Sequence, residues 1–255
     1  MQKIKLSFFL LICCTVSITA QKITADDVLA KHLNSIGTAE ARAAAKTAIA
    51  VGNAEVRSVT KITTPVVGRI VIASAGIKSF WGLSLNSTDY PSEKFSYDGK
   101  NAKVALVKLG VRSTLGNFVQ SNNLMLEQGL FGGTLSTAWA LLDAPTRKAK
   151  LSMEGSKKID GKDAYVLGYS PKGGGDIDVK LYFDKETFRH VRTEYKRISS
   201  AGIGSRPEDS SKFSENRIAL TEDFSDFKPE GNLTLPHHYH ISYTTTGNSN
   251  GSTNI

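Results

Sequence analysis

Between Lys148 and Arg197 apolar and polar side chains alternate, and short turn signals divide the stretch into strands. In Lys148-Ala-Lys-Leu-Ser-Met153 and Asp176-Ile-Asp-Val-Lys-Leu-Tyr-Phe183 the odd positions are apolar and nearly all the even ones polar, the period-two pattern of a strand with one buried face. Asp160-Gly161, Pro171 to Gly175 and Asp184-Lys-Glu-Thr187 make the turns, and a fourth strand follows over 188–197. The stretch reads as an antiparallel meander.

The same pattern extends in both directions. Val51 to Ile62, Gly68 to Ser74, Ile77 to Leu85 and Lys94 to Tyr97 are rich in β-branched and aromatic residues, with breaks at Pro65, Gly76, Pro91 and Asp98-Gly99, and Asp98-Gly99 before Ala102-Lys-Val104 is a tight-hairpin signal. Two more strands, Arg217 to Phe227 and His237 to Thr245, follow an exposed, Ser-, Gly- and charge-rich loop over 198–216. The strands arrive with no intervening helices, so the sheet is expected to be antiparallel and to wind up and down. Helical spacing opens the chain after residue 20. Thr24, Asp26 and Asp27 precede Leu29, Leu33 and Ile36 and a stop at Gly37, and an alanine-rich second helix spans 38–47.

Over 111–142 the alternation stops. Leu115, Phe118, Leu126, Leu130, Phe131 and Trp139 crowd a segment broken by Gly129 and Gly132-Gly133, a density that suits one or two short helices buried against the sheet. This segment is either a fixed plug or a movable lid.

The first twenty residues stand apart. Lys3 and Lys5, an apolar run from Leu6 to Val16 and the small-residue end Ser17-Ile-Thr-Ala20 predict a cleaved secretory signal over 1–20 and one domain over 21–255. The apolar run is too short to span a membrane comfortably. Both cysteines, Cys13 and Cys14, fall inside it, and Ile12 is too bulky for the residue before a lipidated cysteine. An exported chain with no cysteine left to form a disulfide fits the periplasm of a Gram-negative bacterium. With Lys3 and Lys5 removed, 30 basic residues face 24 acidic ones, a net charge of +6. The basic residues are not clustered with aromatics, so anionic headgroups or acidic partners are expected and nucleic acid is not.

Candidate chemistry is sparse. His237-His-Tyr-His240 puts His238 and His240 on one side of a strand, where a third ligand could complete a metal site; solvated strand histidines are the plainer reading. His32 and His190 are isolated and are expected at the surface. Gly173-Gly-Gly175 lacks a following helix and reads as a turn, not a phosphate cradle. Asp176 with Asp178, and Glu222 with Asp226, are expected on solvated strand faces. No nucleophile elbow, zinc-protease motif or P-loop occurs, so neither an enzyme nor a cofactor is expected.

The order of parts resembles the outer-membrane lipoprotein-sorting, LolA-like proteins. The likeness is carried by Asp26-Asp-Val-Leu-Ala-Lys-His-Leu33 ending at Ile36-Gly37, by Gly161-Lys-Asp-Ala-Tyr-Val-Leu167, and by Leu181-Tyr-Phe-Asp-Lys-Glu-Thr-Phe188 with its Asp-x-x-Thr turn. It implies a mainly β (α+β) fold: a single antiparallel sheet curled into an open half-barrel, short helices covering the concave side, and an N-terminal helix. It further implies a carrier for a lipid or lipoprotein acyl chain, with envelope proteins and a membrane surface as further contacts. The cavity arginine of the lipoprotein carriers has no matching motif, Arg57 and Arg69 being positional candidates only. A final strand is expected to begin near Thr253-Asn-Ile255.

If a cavity exists, Phe80, Trp81, Phe118, Phe131 and Trp139 are the residues expected to touch its ligand, together with the odd-numbered face Ile177, Val179, Leu181 and Phe183. The alternative is an ordinary packed core. Three functions are open: a carrier for a lipidated or lipid-like ligand, an envelope scaffold with a packed core, and a metal-dependent hydrolase around His238 and His240.

Overall fold

The structure is a computed structural model and describes residues 22–58, 64–87, 90, 92–106, 112–199, 216–246 and 251–254. The predicted signal segment and most of the 198–216 loop lie outside these residues.

Helix α1 (Ala25–Ile36) opens with a capping box. Asp27 N–H donates to Thr24 Oγ1 at 3.1 Å while Thr24 N–H donates to Asp27 Oδ2 at 2.9 Å, so two otherwise orphaned donors are satisfied. The helix buries Val28, His32 and Ile36, one turn apart. A short α2 (Ala39–Ala44) follows, shorter than its alanine-rich sequence suggests because β1 (Thr47–Ser58) begins at once.

Strands β1, β2 (Val66–Ala75), β3 (Lys78–Leu85), β4 (Glu93–Tyr97) and β5 (Ala102–Leu106) pair consecutively and antiparallel. After a helical segment come β6 (Lys150–Ile159), β7 (Lys162–Ser170), β8 (Asp178–Asp184), β9 (His190–Ser199), β10 (Asn216–Glu230) and β11 (Leu233–Thr246), also paired in order. The recognisable turn is built as its sequence demands: Asp184 Oδ1 accepts from the backbone N–H of Glu186 and Thr187 and from Thr187 Oγ1. The last hairpin is longer than the sequence suggested. Gly231, at φ 59°, turns β10 directly into β11, and both strands continue through Pro229 and Pro236.

The fold is mainly β and antiparallel, with a few short helices, but a single uninterrupted sheet is too simple a description. There are two antiparallel sheets, β1–β5 and β6–β11. Among the described residues the short β12 (Gly251–Asn254) alone pairs with both, with Arg57 and Ser58 on one side and with Ser242 to Thr245 on the other. With β5 and β6 at opposite ends of the strand order, no barrel closes.

Between the sheets in sequence lie α3 (Thr114–Ser121), α4 (Leu124–Glu127), two 3-10 turns and α5 (Ala144–Arg147). Leu115, Phe118, Val119, Met125, Leu126, Leu130, Phe131, Trp139 and Leu141 are all buried in one cluster with residues of both sheets, including Trp81, Phe95, Leu181, Phe183 and Tyr195. The segment therefore packs as a plug. Its glycines permit close approach: a Cβ on Gly132 (φ 82°) would sit 1.8 Å from the Trp81 ring, and one on Gly129 (φ 65°) 1.8 Å from the Ala138 carbonyl oxygen.

Candidate functional site: the groove between β1 and β11

The two sheets part company beyond β12. At Arg57 and Ser242 they are joined through Asn254, but among the described residues 47–56 of β1 pair only with β2, and 233–241 of β11 only with β10. A groove of about 800 Å³ occupies this parting.

The floor follows from strand alternation. Odd residues of β1 (Ile49, Val51, Asn53, Glu55, Arg57) point outward and are exposed, whereas Ala48, Ala50, Gly52 and Ala54 face inward and Val56 is buried. Four successive inward positions thus carry a methyl group or less. A normally filled core would place branched or aromatic side chains there, and the missing volume is the groove. Ile36, Ile70, Ile72, Leu135, Leu142, Leu233, Leu235 and Ile241 supply the apolar lining, and Glu230, His237, His238 and His240 stand at the β11 side. Arg42 also borders the groove, its Nη1 donating to the carbonyl oxygens of Leu33 and Gly37.

The nine residues expected at a ligand sit elsewhere. Trp81, Phe118, Phe131, Trp139, Ile177, Val179, Leu181 and Phe183 are buried in the main cluster, and Phe80 is half-buried on the other face of β3. None of them lines the groove; Trp81 and Phe131 border a void of about 20 Å³ beside Phe95 and Leu115. Phe131 packs edge-on against Trp81 and Phe95 at 5.0 and 5.8 Å, and Phe118 against Tyr243 at 5.7 Å. What the aromatics do is hold the plug to the sheets. The signal that would have found the groove is the small-residue alternation of Ala48 to Ala54, easily passed over because alanine and glycine mark no chemistry.

Arg57 borders the groove and pairs with Glu55, whereas Arg69 is exposed and does not line it. His238 is exposed, His240 lies 3.7 Å from Asp223, and His237 lies 3.0 Å from Glu230. Among the described residues no group of three histidine, cysteine or acidic side chains could hold a metal.

Two expectations about titratable groups are corrected. His32 and His190 are not surface residues but are 0% and 1% exposed. Trp139 Nε1 donates to His32 Nε2 at 3.0 Å, so His32 Nδ1–H is the donor to the Phe188 carbonyl 3.1 Å away. Burial pulls the His32 pKa down to about 4. His190 stacks on Trp139 at 4.6 Å, is likewise pulled well below the ordinary histidine range by burial, and among the described residues has no partner for Nδ1.

Glu222, expected on a solvated face, is 0% exposed. Its Oε1 accepts the Gly132 N–H at 2.7 Å and the Tyr239 hydroxyl at 2.5 Å, and its Oε2 accepts the Tyr195 hydroxyl at 2.6 Å. These donors lower its pKa but burial outweighs them and raises it to about 7. Tyr239 also borders the groove, so this network ties the plug, β9, β10 and the groove wall together. A second carboxylate does similar work nearby: Glu93 on β4 accepts the Ser113 N–H and hydroxyl at 2.9 and 2.5 Å, anchoring the start of α3.

No protein-family model matches the chain, and no curated protein matches it. Among solved structures it is similar to a LolA superfamily protein from Nitrosomonas europaea, 14% identical over 91% of this chain and 90% of that one, with a TM-score of 0.45. A DUF1329 family protein from Desulfovibrio piger is 10% identical over 90% and 89%, at 0.40. An outer membrane lipoprotein-sorting protein domain from Vibrio parahaemolyticus is 14% identical over 89% of each chain, at 0.36. The first of these carries the superfamily name that the sequence resemblance gave.

Proposed function

We propose that the protein is a non-enzymatic binding or carrier protein for a lipid-like apolar ligand, held in the groove between β1 and β11 of an open half-barrel. One observation carries this reading: an apolar groove of about 800 Å³ whose floor is a run of alanines and a glycine. Its volume lies within the range of about 300–1,000 Å³ typical of small-molecule sites. Burying each methylene contributes about 0.8 kcal/mol, so an acyl chain of a dozen carbons gains on the order of 10 kcal/mol before ordering costs. The aromatic cluster contributes rigidity, not contacts to the ligand.

The cellular address comes from the sequence. The 1–20 segment has the charged start, apolar run and small-residue end of a secretory signal, which puts the ligand in an aqueous envelope compartment where an acyl chain needs cover.

Native mass spectrometry of protein purified from a Gram-negative host, with solvent extraction of the same sample, tests the reading. The expected result is a bound amphiphile that detergent or a fluorescent fatty acid displaces. Protein that carries nothing and takes up neither a fluorescent fatty acid nor an apolar dye overturns it.

A further inference from the structure

The inward face of β1 floors the groove, and its outward face begins a second surface. The odd positions of β1 point to the outer side of the β1–β5 sheet, and strand register places their neighbours on the same side. Ile49 lies opposite Ala73 and Ala73 opposite Phe80, while Val51 lies opposite Val71 and Val71 opposite Gly82. Together they make one contiguous apolar patch. Ile49 is 75% and Val51 57% exposed. A Cβ on Gly82 would fall 3.0 Å from the Phe80 ring, so that ring lies along the sheet over the glycine. Apolar patches rimmed by polar residues mark interaction surfaces.

The charges around the patch have one sign. Lys78 stands opposite Ala75, Lys94 opposite Gly82, Arg69 opposite Asn53, and Lys103 opposite Ser96, which itself neighbours Phe80. All four cations are exposed. Among the described residues Glu55 is the one carboxylate of this face, and it pairs with Arg57; Asp98 stands in the β4–β5 turn, where its Oδ1 accepts from the N–H of Lys100 and Asn101. The outer face of the other sheet is built differently. There Lys180 meets Glu154 at 2.8 Å, Lys196 meets Glu194 at 2.7 Å, and Arg192 meets Asp223. One face neutralises its charges in place; the other leaves cations around an apolar centre.

We infer that the outer face of β1–β5 is a docking surface for an anionic lipid bilayer, with Ile49, Val51 and Phe80 entering the headgroup layer and Lys78, Lys94, Lys103 and Arg69 meeting lipid phosphates. Apolar burial and attraction to anionic lipid add in such binding. Two copies of this face would set like charges against each other, which disfavours a second copy. The four cations stand on four different strands, a spread of about 15 Å at the usual strand spacing. That spread suits a surface carrying many phosphates better than one placed acidic side chain. Ile49 and Val51 also border the groove, so docking would bring the groove's β1 side to the lipid. The inference goes beyond the carrier reading and does not depend on it, since it uses the outside of the sheet.

Co-sedimentation with vesicles tests it. The purified protein should pellet with vesicles of equal parts phosphatidylglycerol and phosphatidylcholine and stay in solution with phosphatidylcholine alone. Lys78→Gln with Lys94→Gln should weaken binding roughly tenfold or more. Lys180→Gln with Lys196→Gln removes as much positive charge from the other sheet and should change binding less than about threefold. Ile49→Thr with Phe80→Thr keeps every charge and should weaken binding by about tenfold; if that variant loses its cooperative melt, Ile49→Thr with Val51→Thr, both at exposed positions, takes its place. No binding to the anionic vesicles overturns the inference, as do equal losses from the two lysine pairs, which would reflect net charge alone. Vesicle binding unaffected by the apolar substitutions, with equal capture of polyglutamate, assigns the cations to an acidic protein and also overturns it. Fatty-acid uptake measured without vesicles separates the two readings: uptake without docking leaves the carrier reading standing, and docking without uptake leaves this one.

Discussion

Trp139 Nε1 lies 3.0 Å from Nε2 of His32, an indole donor meeting an imidazole acceptor inside the core. The contact joins the plug to α1 and works only while His32 is neutral, since a protonated ring would turn a second N–H against the indole N–H.

Acid should therefore destabilise the protein through His32. Its pKa is about 4 in the fold against 6.5 in an unfolded chain, so the unfolded state takes up the proton first. The neutral-ring stability is fully present above pH 6.5 and is lost as pH falls toward 4, by on the order of 3 kcal/mol. His190 shifts in the same direction. In urea titrations across this window, His32→Gln should lose less stability on acidification than the wild type, while being less stable than it at pH 7.5 because Trp139 loses its placed acceptor. An unchanged acid slope would show that His32 is not its source.

Glu222 should act with the opposite sign. Its pKa is raised from 4.5 to about 7, so its contribution is fully present below pH 4.5 and is lost as pH rises through 7, again by on the order of 3 kcal/mol. The wild-type profile between these limits is the difference of two opposing slopes. Glu222→Gln keeps acceptor oxygen near Gly132 and should leave the histidine slope exposed, so that stability falls more steeply with acid than in the wild type. Glu222→Ala leaves the Gly132 N–H and two tyrosine hydroxyls without their acceptor and should cost about 1–3 kcal/mol for each that stays unpaired.

These two residues also show where the sequence was readable and where it was not. Strand positions followed from period two, and the Asp184 turn and Thr24 cap from local chemistry, because each depends on neighbours within a few residues. His32 and Glu222 look like surface residues locally. Their burial depends on Trp139 and Gly132, residues 107 and 90 positions away, which no local pattern encodes. The aromatic residues marked as ligand contacts were legible as core, but the cavity was not, since it arises where Ala48 to Ala54 leave volume unfilled and where β1 and β11 fail to meet.

The plug should tolerate little at its glycine break. Gly132 sits at φ 82°, and any Cβ there would fall 1.8 Å from the Trp81 ring. Gly132→Ala combines backbone strain with a clash against a buried indole and should cost about 3 kcal/mol or more. Gly155 is also at positive φ, 93°, but a Cβ there would meet nothing within 4 Å. Gly155→Ala should therefore cost distinctly less in the same thermal melts, and equal losses would mean that the Trp81 contact contributes nothing.

Filling the groove should separate binding from stability. Gly52 faces inward on β1, its φ is not in the left-handed region, and a Cβ there would meet only Ile70 Cγ2, at 3.5 Å. Removing glycine from a strand interior favours folding by roughly 0.5–1 kcal/mol, so Gly52→Ala should raise the melting temperature slightly and leave fatty-acid uptake intact. Gly52→Leu pushes three further carbons into the space between β1 and the plug. It should keep a cooperative melt while weakening uptake of a fluorescent fatty acid at least tenfold. Uptake unchanged in Gly52→Leu would move the ligand out of this groove, whereas uptake lost together with the cooperative melt would be read against Gly52→Ala, which adds a Cβ without closing the space.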